Sequence, residues 1–197
     1  RVIDYAIEKM EENIREKPKD VKWYMYQGQL YNLGAVLLSD TPDQRYARLA
    51  EKRFLEAREI SPRRPQIYLE IAQARKILGD YSGMWATLDE AISLVPEYTT
   101  IHYNALVHAI EIGDSGREAR ELEYISKKES LLDFTTIRDA YFKAGRFRDA
   151  AVMQKQYIAK AADDTEAKTM AKFYQQLAGL YKLAGEKKRA GEAALKV

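Results

Sequence analysis

Two histidines are the first residues to consider for chemistry in this chain, because imidazole is the side chain that most readily exchanges a proton near neutral pH. His102 and His108 are the only histidines, and there is no cysteine. A nucleophile needs a base beside it, and a metal needs converging ligands. Side chains six residues apart on a helix lie on different faces, so this spacing does not form a shared metal site. We expect one packing histidine and one surface histidine, with no catalytic residue, metal site or cofactor.

Carboxylates are numerous, but nothing in their arrangement indicates an acid–base pair. Neighbours such as Glu11 and Glu12 lie near helix ends or on exposed helix faces. The segment from Gly113 to Gly116 lacks the lysine and the spacing of a phosphate-binding loop, and is more typical of a turn between helices. No G-x-S-x-G element is present. These patterns favour a non-catalytic protein.

Composition places the chain among folded, helix-rich proteins that are not nucleic-acid binders. Its 197 residues include 46% hydrophobic and 31% charged residues, enough for one sizeable domain. The 32 basic and 30 acidic residues give a net charge of +2. A nucleic-acid interface usually shows a strong basic excess or stripe, and neither is evident. We therefore expect no nucleic-acid partner.

The lengths of the apolar stretches and the first residue of the sequence bear on membrane contact and on whether the chain is part of a longer protein. No stretch reaches the roughly 18 consecutive apolar residues of a membrane span, so we expect no direct membrane contact. The chain begins with Arg1 inside a helical pattern, which we interpret as a fragment of a longer protein. The absence of cysteine is compatible with both the cytoplasm and the bacterial cell envelope, so it fixes no compartment.

Glycine and proline divide the chain at a regular interval. Glycines that precede a charged residue occur 34, 32 and 40 residues apart, at Gly79, Gly113, Gly145 and Gly185. Each follows an apolar helical pattern, where glycine can adopt the left-handed conformation that ends a helix. Prolines follow other helical patterns at Pro18, Pro62 and Pro96. Two such breaks in each period of about 34 residues predict two helices per repeat.

Residues 65–98 form the clearest repeat. Small residues, Ala72 and Ala91, stand where paired helices must approach closely. The unit resembles the tetratricopeptide repeat family, and the matching positions are Tyr68, Ile71, Ala72, Arg75, Met84, Leu88, Ala91 and Pro96. Arg75 and Met84 depart from the family pattern. The resemblance implies an all-α, right-handed superhelical solenoid of antiparallel helix pairs, with about eleven helices over the whole chain.

The other repeats are less regular. We expect a half repeat at 1–18, then repeats at 19–64, 65–98, 99–130, 131–164 and 165–197. Ten extra residues near 36–46 predict a longer helix pair or a loop, with Thr41 and Pro42 as the N-cap and first residue of a helix. Arg138 replaces a small residue, so we expect looser packing or an outward-pointing arginine. The first helix of the last repeat is expected to begin early, near Thr165.

The resemblance also implies a ligand site. In tetratricopeptide proteins the first helix of each repeat lines a concave groove, and fixed repeat positions face it. In this chain those positions hold Met25, Gln29, Gln66, Leu69, Gln73, Lys76, Tyr103, Val107, Thr135, Asp139 and Phe142. Aromatic, apolar and amide side chains suit an extended peptide, whose backbone needs hydrogen bonds and whose side chains need pockets. We expect a protein- or peptide-binding scaffold.

One subclass of the family clamps the C-terminal carboxylate of a peptide with lysine and asparagine. Of the comparable residues, Met25, Gln29, Glu70 and Asn104, only the asparagine fits, which argues against that ligand.

Two alternatives remain open. The segment from Trp23 to Asn32 resembles the soluble repeat tails of bacterial O-antigen ligase or polymerase-like membrane proteins, which would make the chain an accessory domain in the cell envelope. Apolar residues near the end of the chain, including Ala190, Ala193 and Leu195, would instead suit self-assembly into a homo-oligomer.

Overall fold

The computed structural model describes residues 2–37, 43–128, 134–161 and 165–197. Within these ranges the chain is entirely α-helical, without strands, which confirms the predicted fold class. The helices are α1 Val2–Glu16, α2 Val21–Leu37, α3 Gln44–Ile60, α4 Pro65–Leu78, α5 Tyr81–Leu94, α6 Thr99–Ile112, α7 Ser115–Ser126, α8 Phe134–Lys143, α9 Phe147–Ala161, α10 Ala167–Leu183 and α11 Lys187–Ala194. No described helix is both long and apolar enough to cross a membrane.

The helices belong to two compact units, Arg1–Ile101 and His102–Val197. The first contains α1 to α5 and the start of α6, and the second contains the rest of α6 and α7 to α11. Every described helix lies within one of the repeat segments expected from the sequence. The division of the chain into a single domain of six such segments stays a prediction.

Glycines end the first helix of four repeats, as predicted. Their φ angles lie between 72° and 79°, in the left-handed region, at Gly79, Gly113, Gly145 and Gly185. No other described residue has a positive φ. After Gly79, the Asp80 carboxylate accepts a hydrogen bond from the backbone N–H of Gly83, which caps the next helix. The turn between α4 and α5 therefore depends on Gly79, which adopts the left-handed conformation, and on Asp80, which caps the next helix.

The core of the first unit is built around Phe54 of α3. Its side chain is fully buried against α2 and α4, beside Ile67 and Ile71. A Cβ on Gly28 of α2 would lie 2.5 Å from the Phe54 ring, so only glycine allows this close approach. Gly28 thus allows α2 to pack closely against α3.

The core of the second unit joins α6 to α11. Leu106, Ile125, Ile137 and Ala150 are fully buried, and Leu177 of α10 is 5% exposed. Rings such as Phe134 and Tyr174 pack against this cluster while remaining partly exposed. The aromatic side chains thus fill the margins of the core, as their helical spacing predicts.

The ten extra residues of the second segment are mostly accounted for by longer helices. α2 and α3 have 17 residues each, whereas α4 and α5 have 14 each, which places six of the ten in helix. Thr41 and Pro42 lie outside the described residues. α3 begins at Gln44 and its N-cap is Asp43, whose side chain accepts from the backbone N–H of Arg45 at 2.8 Å. The helix therefore starts two residues later than the sequence suggested.

Arg75, which departs from the family pattern, has polar partners on both sides. Its Nε donates to Glu51 at 2.7 Å, and its Nη1 donates to Thr87 at 2.7 Å and to the Gly83 carbonyl at 3.1 Å. Since charged groups are buried at low cost only when they are paired, these bonds allow arginine at a position that is usually aromatic.

Candidate functional site

Neither histidine lies on the surface, so the expected surface histidine is a wrong prediction. His102 is 7% exposed and His108 is 5% exposed. The reason is that α6 is packed on several sides and also buries Ile101, Ala105 and Ile110. The rule that a helix buries one face and exposes the opposite face holds for surface helices, and it fails for a helix that is packed on several sides.

His102 has a carboxylate partner, but the pair is enclosed. Its Nδ1 lies 2.7 Å from Oε2 of Glu121, and its ring stacks on Tyr124 with centroids 3.7 Å apart. A carboxylate can orient an imidazole for catalysis, yet a substrate must also reach the ring. With Glu121 only 2% exposed, the pair instead fastens α7 to α6.

Predicted groove residues of the first unit meet between α2 and α4. Gln29 donates to Glu70 Oε1 at 2.6 Å, which joins the two helices. On α2, Tyr26 and Leu33 flank Gln29 and are 49% and 46% exposed. Gln66 is exposed one turn before Glu70, and donates to the Tyr98 hydroxyl at 3.1 Å. We call this surface the α2–α4 face.

The remaining predicted residues of this unit differ in accessibility. Leu69, Gln73 and Lys76 follow Gln66 along α4 and are half-buried. Met25 is 5% exposed and packs in the core around Phe54. Met25 is therefore not accessible to a ligand, because the turn of α2 directs it inward.

Glu70 and Asn32 give the α2–α4 face an unusual polar interior. Burial raises the pKa of Glu70, and the nearby amides of Gln29 and Asn32 only partly oppose this. Asn32 is close enough to act on Glu70, but neither of its buried polar side-chain atoms has a hydrogen-bond partner among the described residues. Buried polar atoms without a partner cost about 1–3 kcal/mol each.

Tyr103, Val107 and Thr135 are half-buried in the second unit. Tyr103 and Val107 pack against its hydrophobic core. None of the three lines the cleft described next, which contains Asp139 and Phe142.

Asp139 and Phe142 lie in a cleft of about 310 Å³ between α8 and α10, which we call the α8–α10 cleft. Phe142 is 47% exposed and Leu183 on the opposite side is 54% exposed. Phe142 is fixed by an edge-to-face contact with Phe147, with centroids 5.5 Å apart. The full lining is Arg138, Asp139, Phe142, Gln176, Gly179, Leu180 and Leu183.

A chain of hydrogen bonds runs beneath this cleft from α8 to α10. Arg138 donates from Nε and Nη2 to Asp139 at 2.8 and 2.7 Å, and from Nη1 to Oε1 of Gln154 at 2.7 Å. Gln154 is fully buried, and its amide donates to Oε1 of Gln176 at 3.3 Å and to the Phe173 carbonyl at 3.2 Å. Arg138 therefore neither loosens the packing nor points to solvent, because Gln154 satisfies it from below.

Gly179 forms part of the cleft floor without a packing reason to be glycine. It lies inside α10, four residues before Leu183 at its end, and a Cβ added there would meet no atom within 4 Å. Glycine inside a helix is less stable than alanine by roughly 0.5–1 kcal/mol. In contrast to Gly28, the empty space beside Gly179 belongs to the cleft.

Gly179 occupies a position in the last repeat that the groove rule predicts from the sequence. Gly179 stands five residues after Tyr174, as Gln73 stands five residues after Tyr68. The rule that fixed repeat positions face the groove therefore also predicts a residue on the α10 side of the cleft. The hydrogen bond between Arg138 and Gln154 is not predictable from the sequence in this way, because it depends on how α8 packs against α9.

The comparisons with known proteins bear on the fold. No protein-family model and no curated protein sequence matches the chain. Among solved structures, MamA (residues 41 to the end) from Desulfovibrio magneticus RS-1 matches with a TM-score of 0.52 and 18% identity, over 86% of this chain and 92% of that chain. A MamA RS-1 double mutant matches with a TM-score of 0.52 and 17% identity, over 86% and 91%.

MamA is a tetratricopeptide-type helical repeat protein. This chain has a tetratricopeptide-like fold. At such low identity the match establishes the fold alone. The resemblance to the tails of O-antigen ligases is not shown by these comparisons.

Proposed function

We propose that this chain is a non-catalytic scaffold that binds an extended peptide segment of a partner protein in the α8–α10 cleft. The observation that carries the proposal is the combination, within one cleft, of two exposed apolar side chains and of polar side chains held by hydrogen bonds. Small-molecule and peptide sites typically combine an apolar lining with a few fixed polar groups.

The apolar part of the cleft would supply binding energy. Phe142 and Leu183 are each about half exposed on opposite helices, and Leu180 of α10 also lines the cleft. An aliphatic side chain entering this space would remove apolar surface of both Phe142 and Leu183 from water. Full burial of such a side chain contributes about 1.5–3 kcal/mol.

The polar part of the cleft would fix the direction of the peptide. Gln176 is exposed and its Oε1 already accepts from Gln154, which leaves its amide nitrogen to donate to a peptide carbonyl. The Asp139 side chain is 57% exposed and held by Arg138, so its second oxygen can accept from a peptide N–H. Because both groups are anchored from below, little side-chain freedom would be lost on binding.

The test uses peptides selected from a random display library against the intact chain. The affinity of a selected peptide is measured for the wild type and for the Leu183→Glu variant, which puts a charge at the apolar edge of the cleft. We expect a loss of about 10- to 100-fold, the equivalent of losing one buried aliphatic contact.

Val152→Glu is the matched control. Val152 is 46% exposed on α9 of the same unit and does not line the cleft, so its replacement should leave the affinity unchanged. Equal affinities for all three proteins, or failure to select any peptide, would refute the assignment of peptide binding to this cleft.

The α2–α4 face is a second candidate surface for the same function. Its orphaned Asn32 amide and the exposed apolar residues Tyr26 and Leu33 favour it. A selected peptide that is insensitive to Leu183→Glu but loses affinity on Leu33→Glu would assign binding to this face instead.

A further inference from the structure

A larger cleft, of about 690 Å³, lies in the second unit between α9, α10 and α11, and we call it the basic cleft. Its floor is apolar, since Ile158, Leu177 and Ala193 line it and are each 5% exposed. The rings of Tyr174 and Tyr181 border this floor. It shares no lining residue with the α8–α10 cleft, so it can be occupied independently.

Positive charge surrounds this apolar floor. Lys155, Arg189 and Lys196 line the cleft and only Glu192 opposes them, which gives a local net charge of +2. Arg189 is paired with Glu186 at 2.7 Å. Lys196 lies 5.3 Å from the centroid of the Tyr174 ring.

Two of these cations lack a carboxylate. Within the described ranges, neither Lys155 nor Lys196 has an ion-pair partner. An anion entering the cleft would therefore not have to displace an existing partner. Beside apolar walls, unpaired ammonium groups interact with such an anion more strongly than they would in open water.

The chain itself carries a helix of complementary character. α1 contains five acidic and two basic residues, a net charge of −3. Its inward side is held by Ile7 and Ile14, which face the first unit. Tyr5 is 63% exposed, and the exposed charged side chains near it on α1 are Asp4, Glu8 and Lys9, whose Nζ lies 5.9 Å from the Tyr5 ring centroid.

We infer that the basic cleft of one copy binds α1 of a second copy. Tyr5 enters the apolar floor, while the carboxylates of Asp4 and Glu8 approach Lys155 and Lys196. This is recognition of an amphipathic helix in a groove, with charge complementarity at its edges. Because each copy carries both surfaces and they differ, the contact is head-to-tail and can repeat from copy to copy.

The test is the mass of the full chain by light scattering or sedimentation, over a range of protein concentrations. At about 50 mM salt the mean mass of the wild type should rise with concentration, and at about 500 mM salt association should weaken by about tenfold or more, since exposed charges are then screened. Lys155→Glu/Lys196→Glu and Asp4→Lys/Glu8→Lys should each remain monomeric.

Mixing the two variants separates charge recognition from misfolding. The basic cleft of one variant then meets the acidic helix of the other, and the reversed surfaces also complement each other, so association should return. Lys143→Glu/Lys168→Glu is the matched control, because both lysines are exposed and line neither cleft; it should associate as the wild type does.

This inference would be overturned by a wild type that stays monomeric at low salt, by reversed variants that still associate, or by a mixture that stays monomeric. A monomer that instead binds a foreign acidic peptide in the basic cleft would also overturn it, because the occupant would then not be a second copy. Affinity for a peptide in the α8–α10 cleft should be unchanged in all these variants, so the two proposals can fail separately.

Discussion

Replacing Gly179 by alanine should stabilise the fold and weaken ligand binding at the same time. The added methyl group meets no protein atom within 4 Å, so it causes no clash in the free chain. Alanine in a helix interior is more stable than glycine by roughly 0.5–1 kcal/mol. For a chain of this size, that corresponds to an increase of about 1–4 °C in Tm.

The same methyl group would occupy the floor of the α8–α10 cleft. A ligand side chain seated there would have to shift, and overfilling a well-packed site costs about 1–3 kcal/mol. We therefore expect the affinity for a selected peptide to fall by about 5- to 150-fold. Opposite signs for stability and binding distinguish this outcome from general damage to the fold.

Gly191→Ala provides a close control for this experiment. Gly191 also lies inside a helix, α11, and a Cβ there also meets nothing within 4 Å, but it lines neither cleft. It should raise Tm similarly and leave binding unchanged. Thermal unfolding and titration calorimetry on both variants measure the two effects. If Gly179→Ala binds as tightly as the wild type, the proposed use of the cleft floor is refuted; if it lowers Tm, the space above Gly179 is not open.

Three further substitutions test the account. Gly28→Ala should lower the free energy of unfolding by about 1–3 kcal/mol in a urea titration, because its Cβ would meet the Phe54 ring at 2.5 Å; an unchanged midpoint would contradict this. Asn32→Leu should raise that free energy, since it removes two orphaned buried atoms, and a decrease would show that the amide is satisfied. The hydrogen bond from Gln27 lowers the pKa of Glu11 below its usual 4.5. The ionised Glu11 therefore stabilises the fold above pH 4.5, and this contribution is lost as the pH falls through the folded-state pKa. Glu11→Gln should make the urea midpoint less dependent on acid pH, and an equally steep dependence would contradict the argument.

Much of the fold can be predicted from the sequence because its breaks have local causes. Gly79 and its three counterparts end helices through their own backbone freedom, and Pro62 and Pro96 lie in the turns that follow α3 and α5. These effects need no knowledge of distant residues. The start of α3 is harder to predict, because two residues that can cap a helix, Thr41 and Asp43, lie two positions apart in the sequence.

The candidate site is predictable only where a repeat position determines which way a side chain faces. Asp139 and Phe142 follow such a rule and line the cleft. Arg138 does not, because its place depends on an amide that α9 supplies from 16 residues away. The burial of His108 is likewise not predictable from its repeat position, because it depends on how many helices pack around α6 in the folded unit.

Photo-crosslinking tests the central claim most directly. A photoreactive amino acid at position 183, within the α8–α10 cleft, should become covalently joined to a selected peptide. The same group at position 152, on the exposed side of α9, should not. Crosslinking at 152 without crosslinking at 183 would contradict the proposal that the cleft is the peptide-binding site.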